Sequence, residues 1–66
     1  MVRLKDIRVG STVRVATNFG SGHVTLGSVD EVDSDIKNGR AGIGYRNLRN
    51  EGSWAYLEQV VEVVKY

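Results

Sequence analysis

The chain has 66 residues, with nine Lys and Arg against eight Asp and Glu for a formal net charge of +1, eight glycines, no proline and no cysteine. This length makes a single small domain over residues 1–66 and excludes two-domain or doubly wound architectures, while the lack of cysteine excludes disulfides, thiolate metal sites and a cysteine nucleophile. Hydrophobic residues at 41% are too abundant for a disordered chain. No apolar run approaches the ~20 residues that span a membrane, and residues 1–6 lack the apolar core of a signal peptide, so the expected location is cytoplasmic.

The apolar residues follow period two, which indicates strands. After a short irregular lead-in carrying Leu4, Ile7 and Val9, residues 12–16 form a first predicted strand with Val13 and Val15 on one face and Thr12, Arg14 and Ala16 on the other. Residues 17–22 have turn composition and carry Phe19, which reads as a loop-tip aromatic. A second strand is expected over residues 24–32, with Leu26, Val29 and Val32 as its buried side chains. Their parity changes between Leu26 and Val29, and a bulge at Gly27 would restore it. Residues 33–40 read as a turn region in which Asn38-Gly39 signals a two-residue hairpin loop.

A third strand over residues 41–45 puts Ala41, Ile43 and Tyr45 on one face and leaves Gly42 and Gly44 for close backbone approach. Residues 46–52 are polar and read as a loop, followed by a fourth strand over 53–56 that places Trp54 and Tyr56 together. The valine-rich tail is a poor helix, because β-branched residues lose rotamer freedom there. One helical turn over 57–59 and a fifth strand over 61–65 fit better. The expectation is an all-β fold, a single five-stranded barrel with one helical turn before the last strand.

That layout resembles the SH3-like small barrel. Within it, Gly10, Val13, Val15, Gly20, Gly22, Gly27 and Val29 resemble the KOW motif of ribosomal and transcription-elongation proteins, in which a Val-x-Val strand leads through a glycine-rich loop into a Gly-x-Val strand. The cluster Asp30, Glu31, Asp33 and Asp35 departs from the basic character that nucleic-acid-binding members have near this hairpin. Residues 37–40, Gly44-Tyr45 and the stretch 54–60 resemble short uncharacterised proteins of tailed bacteriophages. That likeness implies a small accessory protein in the host cytoplasm, with no established activity.

Charge is distributed in blocks: residues 1–29 carry +3, 30–35 carry −4, 36–50 carry +4 and 51–66 carry −2. The block holding Lys37, Arg40, Arg46 and Arg49 is free of acids and interleaved with Asn38 and Tyr45. It reads either as phosphate contacts beside a stacking ring or as the solvated residues of two loops. Trp54 and Tyr56, with Tyr45 on the neighbouring strand, read either as a recognition platform or as core, Tyr45 and Tyr56 being expected to present an edge. Phe19 is either a plug or a contact. The acidic run lacks the glycine and terminal glutamate of an EF-hand, His23 has no second histidine or cysteine to complete a zinc site, and no glycine pair carries the Lys-Ser/Thr of a P-loop.

The sequence therefore points to a non-catalytic binding module, with no cofactor and no metal, that contacts a protein partner or nucleic acid and no membrane. Its expected contact surface comprises Phe19, Lys37, Asn38, Arg40, Tyr45, Arg46, Arg49 and Tyr56. The alternative is a self-associating structural subunit, a homo-oligomer in which the valine-rich C-terminal strand pairs across an interface.

Overall fold

The computed structural model describes residues 2–18 and 23–66. A 3-10 turn, Leu4–Asp6, precedes strand β1, Thr12–Asn18. Strands β2, His23–Lys37, β3, Arg40–Asn47, and β4, Gly52–Tyr56, follow as two successive hairpins. A second 3-10 turn, Leu57–Gln59, then leads into β5, Val60–Lys65. All pairings are antiparallel, in one sheet of order β4-β3-β2-β1-β5.

Alternation places the core. Val13 and Val15 of β1, Val29 of β2, Ile43 and Tyr45 of β3, Ala55 of β4 and Val60 of β5 are all buried in one cluster with Ile7. A flat sheet would spread these side chains along one face; sharing a cluster requires that it curl until both ends face each other. Each fully buried valine or isoleucine contributes about 1.5–3 kcal/mol relative to exposure. The curled sheet nevertheless differs from the closed barrel expected from the sequence, since β4 and β5 are its two edges and no ladder joins them.

A side chain spans part of that seam. Gln59, in the turn between the two edge strands, accepts a hydrogen bond from the Tyr56 main-chain N–H through Oε1 (2.9 Å) and donates through Nε2 to the Ala16 carbonyl (3.0 Å). Its amide thus ties the end of β4 to β1 where a barrel would continue its ladder.

β2 pairs irregularly with β3 at two places. It runs through the segment expected as a turn, because the ladder to β3 resumes at Lys37↔Arg40 after an irregular stretch from Asp33. The bulge expected at Gly27 lies instead at Asp30, the extra residue between the pairs Val29↔Tyr45 and Glu31↔Gly44. Gly27 is in regular register opposite Val13. The bulge lets Val29 and Val32, on either side of Asp30, both turn toward the core, while Leu26, in regular register with Arg14, lies half-buried on the other face. Gly27 is needed for a different reason, since a Cβ there would stand 2.5 Å from Cδ2 of Tyr45.

At the hairpin, Asn38 and Gly39 have φ of 56° and 72°, the paired positive values of a type I′ turn. Asp33 and Asp35, part of the acidic run, stabilise this end of β2: Asp33 Oδ1 accepts from the Asp35 N–H and Asp35 Oδ1 from the Gly39 N–H. The polar loop expected over residues 46–52 is shorter than the composition suggests, because Arg46 and Asn47 continue β3. Thr17 and Asn18, expected as loop, likewise extend β1. The lead-in is anchored by the buried Ser11, whose Oγ accepts from the Arg8 N–H (2.9 Å), and by reciprocal bonds of Gly10 and Ser11 with Val29.

Two stability measurements check this arrangement. Gly42→Ala would drive a Cβ into the Ala55 carbonyl and the Ile36 side chain, whereas Gly52→Ala meets open space. Chemical denaturation should show a loss of about 1–3 kcal/mol for the first and a change within about 0.5 kcal/mol for the second. Gln59→Leu removes both partners of the seam and should cost about 1–3 kcal/mol through the stranded N–H and C=O, read as a fall in Tm.

Candidate functional site

The register of β3 with β4 decides which aromatics face outward. Ile43 lies opposite Ala55 and Tyr45 opposite Ser53 on the core side, so Gly44↔Trp54 and Gly42↔Tyr56 form the rows of the other face. The two glycines have no side chains to cover, and the two rings stand over the outside of the sheet. Trp54 is 44% exposed and meets Tyr56 edge to face, with ring centroids 5.0 Å apart and planes at 87°.

Cations from the β2–β3 hairpin close on these rings. Lys37 Nζ lies 5.1 Å from the centre of the Trp54 ring, and the Arg40 guanidinium lies 4.1 Å from the centre of Tyr56, both within the range of cation–π attraction. Asn38 Nδ2 donates to the Tyr56 hydroxyl (3.2 Å), and Arg40 also pairs with Glu58 of the turn that follows β4. Beside this cluster, Arg40, Ala41, Leu57 and Glu58 line a cleft of about 250 Å³. The type I′ turn is therefore the device that brings the hairpin's cations over the aromatic pair of β4.

Of the side chains expected to form one contact surface, Lys37, Asn38, Arg40 and Tyr56 come together here. Tyr45 does not join them: at 4% exposure it is core, held beneath Gly27 by the alternation that turns Trp54 and Tyr56 outward. Arg46 is on the surface one row further along and faces Asp30 at 3.7 Å, while its Nη1 donates to the Asn50 carbonyl. Arg49 lies in the β3–β4 loop. Phe19 is outside the described residues.

The expected contact surface omits Trp54, which the sequence leaves open as platform or core, and Leu48. Trp54 belongs with the surface, which its alternation with Ala55 signalled only once the buried member of the pair was known. Leu48 is 85% exposed in the same loop as Arg49. That loop is held by Asn47, whose Oδ1 accepts from the N–H of both Arg49 and Glu51.

Three of the four acids of the run are accounted for locally: Asp33 and Asp35 hold the end of β2 and Asp30 faces Arg46. No group of three acidic, histidine or cysteine side chains among the described residues is placed to hold a metal ion. No helix among the described residues is long and apolar enough to cross a membrane. No known protein family, curated protein or solved structure matches this chain.

The contrast between the two kinds of aromatic is measurable. Trp54→Ala should lower stability by about 1 kcal/mol, the scale of one edge-to-face contact with one cation over the ring. Tyr45→Ala should cost about 3–5 kcal/mol through a core cavity. Urea denaturation followed by circular dichroism separates them.

Proposed function

We propose that this protein is a non-catalytic binding module, SH3-like in strand order and in the 3-10 turn before its last strand, that receives an extended segment of a protein partner. The observation that carries this reading is the outward Trp54–Tyr56 pair on an edge strand, flanked by Lys37, Asn38 and Arg40. The exposed Trp54 ring and the half-buried Tyr56 beside polar hairpin side chains suit docking of an extended or proline-rich peptide, which needs apolar ring surface and a few lateral hydrogen bonds. A small accessory role, of the kind the bacteriophage likeness implies, fits a module of this size.

The same geometry disfavours nucleic acid as the main ligand. Arg40 is matched by Glu58, Arg46 faces Asp30, and Lys37 lies over Trp54. Phosphate contact would have to displace these partners, and the adjoining stretch of β2 with Asp30, Glu31, Asp33 and Asp35 repels a polyanion. An amide chemical-shift titration of labelled protein with proline-rich peptides and with single-stranded oligonucleotide, at low and physiological salt, decides between them. Peptide-induced shifts at Lys37, Asn38, Trp54 and Tyr56 that persist at physiological salt are the expected result. Oligonucleotide shifts across Lys37 to Arg49 that fade with salt, without any peptide response, would replace this reading with a nucleic-acid-binding one.

A further inference from the structure

The sheet has two edges, and they are not equivalent. β5 is irregular along its length: its pairing with β1 steps from Val15↔Val60 to Arg14↔Glu62 and from Val13↔Val63 to Thr12↔Lys65, leaving Val61 and Val64 as extra residues. Bulges of this kind, with Glu62 and Lys65 beside them, disrupt and twist an edge and discourage further pairing. β4 has none of these devices. Its sequence Gly52-Ser53-Trp54-Ala55-Tyr56 is uncharged, contains no proline and pairs with β3 in unbroken register.

Which main-chain groups β4 offers follows from its bonds. The Glu51 carbonyl accepts from the Asn47 N–H on the β3 side, whereas the Tyr56 N–H points the other way, to Gln59. Because alternate residues of an antiparallel strand direct N–H and C=O to opposite edges, Ser53 and Ala55 serve β3 while Gly52 and Trp54 turn theirs outward. Tyr56 is already engaged by Gln59, so the stretch open with respect to the described residues is Gly52 to Trp54.

We propose that this stretch pairs with a second copy of the chain, antiparallel and about a two-fold axis through Ser53. In that register Gly52 of each copy lies opposite Trp54 of the other, and the two residues exchange main-chain hydrogen bonds at both ends of the contact. The side chains complement each other in the same way. Among the described residues a Cβ at Gly52 would meet nothing within 4 Å, which leaves space beside it to receive the exposed flank of the opposing Trp54. Gly52 thereby repeats across the interface the relation that Gly44 has with Trp54 inside the chain. No charge lies on the paired segment, so two identical copies meet without like-charge repulsion. The assembly is a continuous sheet whose two outward aromatic pairs lie side by side, and it places the self-association on β4 rather than on the valine-rich strand.

The test is sedimentation equilibrium on the full chain over a wide dilution series, with charge variants at the axis. Ser53 is exposed and lies opposite itself in this register. Ser53→Lys and Ser53→Glu should each weaken the dimer about tenfold or more through like-charge juxtaposition, and an equimolar mixture of the two should restore it. Gly52→Thr, which fits the free chain but fills the space for Trp54, should also abolish the dimer with native circular dichroism. A wild-type chain that stays monomeric at the highest concentration overturns the proposal. So does a dimer that persists unchanged in folded Ser53→Lys and Gly52→Thr, which would put the contact elsewhere.

Discussion

The structure depends on a single sheet curling far enough for its two ends to share one core. With 66 residues and no cysteine there is neither a second layer to cover an open sheet nor a covalent staple to hold one closed. Val13 and Val15 from β1 and Ile43 and Tyr45 from β3 must therefore bury against one another, and β2, which runs between their strands, must bend. The bulge at Asp30 and the irregular stretch after Asp33 permit that bend. At the seam the Gln59 amide connects Tyr56 to Ala16, satisfying one main-chain donor and one acceptor that the curl leaves without a strand partner. An apolar residue at 59 could fill the same volume but would leave both groups without partners.

The outward surface is a consequence of the same alternation. Once Ala55 enters the core, Trp54 and Tyr56 have to face solvent, and the glycines beside them in β3 keep the sheet thin beneath the rings. The hairpin turn then decides the electrostatics. Because Asn38 and Gly39 reverse the chain in two residues, Lys37 and Arg40 are neighbours across the ladder and both reach the aromatics of β4. Lys37, Arg40 and Arg46 of the positively charged block thus become cations matched by rings and carboxylates, which is why a basic stretch need not mean a phosphate site.

Several features were legible in the residues themselves. Val13 and Val15 sharing a buried face, the Asn38-Gly39 reversal, the 3-10 turn at residues 57–59 and the valine-rich last strand all rest on local rules: period-two patterning, positive φ at Asn and Gly, and the poor helix propensity of β-branched residues. The length of β2 was not legible, because Asp33 to Ile36 have turn composition and become strand only through pairing with β3 and the carboxylate bonds at Asp33 and Asp35. The bulge position was misread for a related reason. Glycine at 27 has a local excuse for a bulge, but its actual role is to make room for Tyr45, a contact between residues far apart in the chain.

The sequence by itself determined that this chain forms strands and turns, that it has one core and no covalent staple, and where its tight hairpin falls, since each follows from short-range sterics and hydrophobic periodicity. Only the tertiary structure decided which of three similar tyrosine and tryptophan side chains are inside. Tyr45 and Trp54 both sit in alternating strands, and period two states which neighbours share a face without saying which face is buried. The curl of the sheet makes that choice, and with it sets the core, the outward aromatic pair and the edge left open at β4.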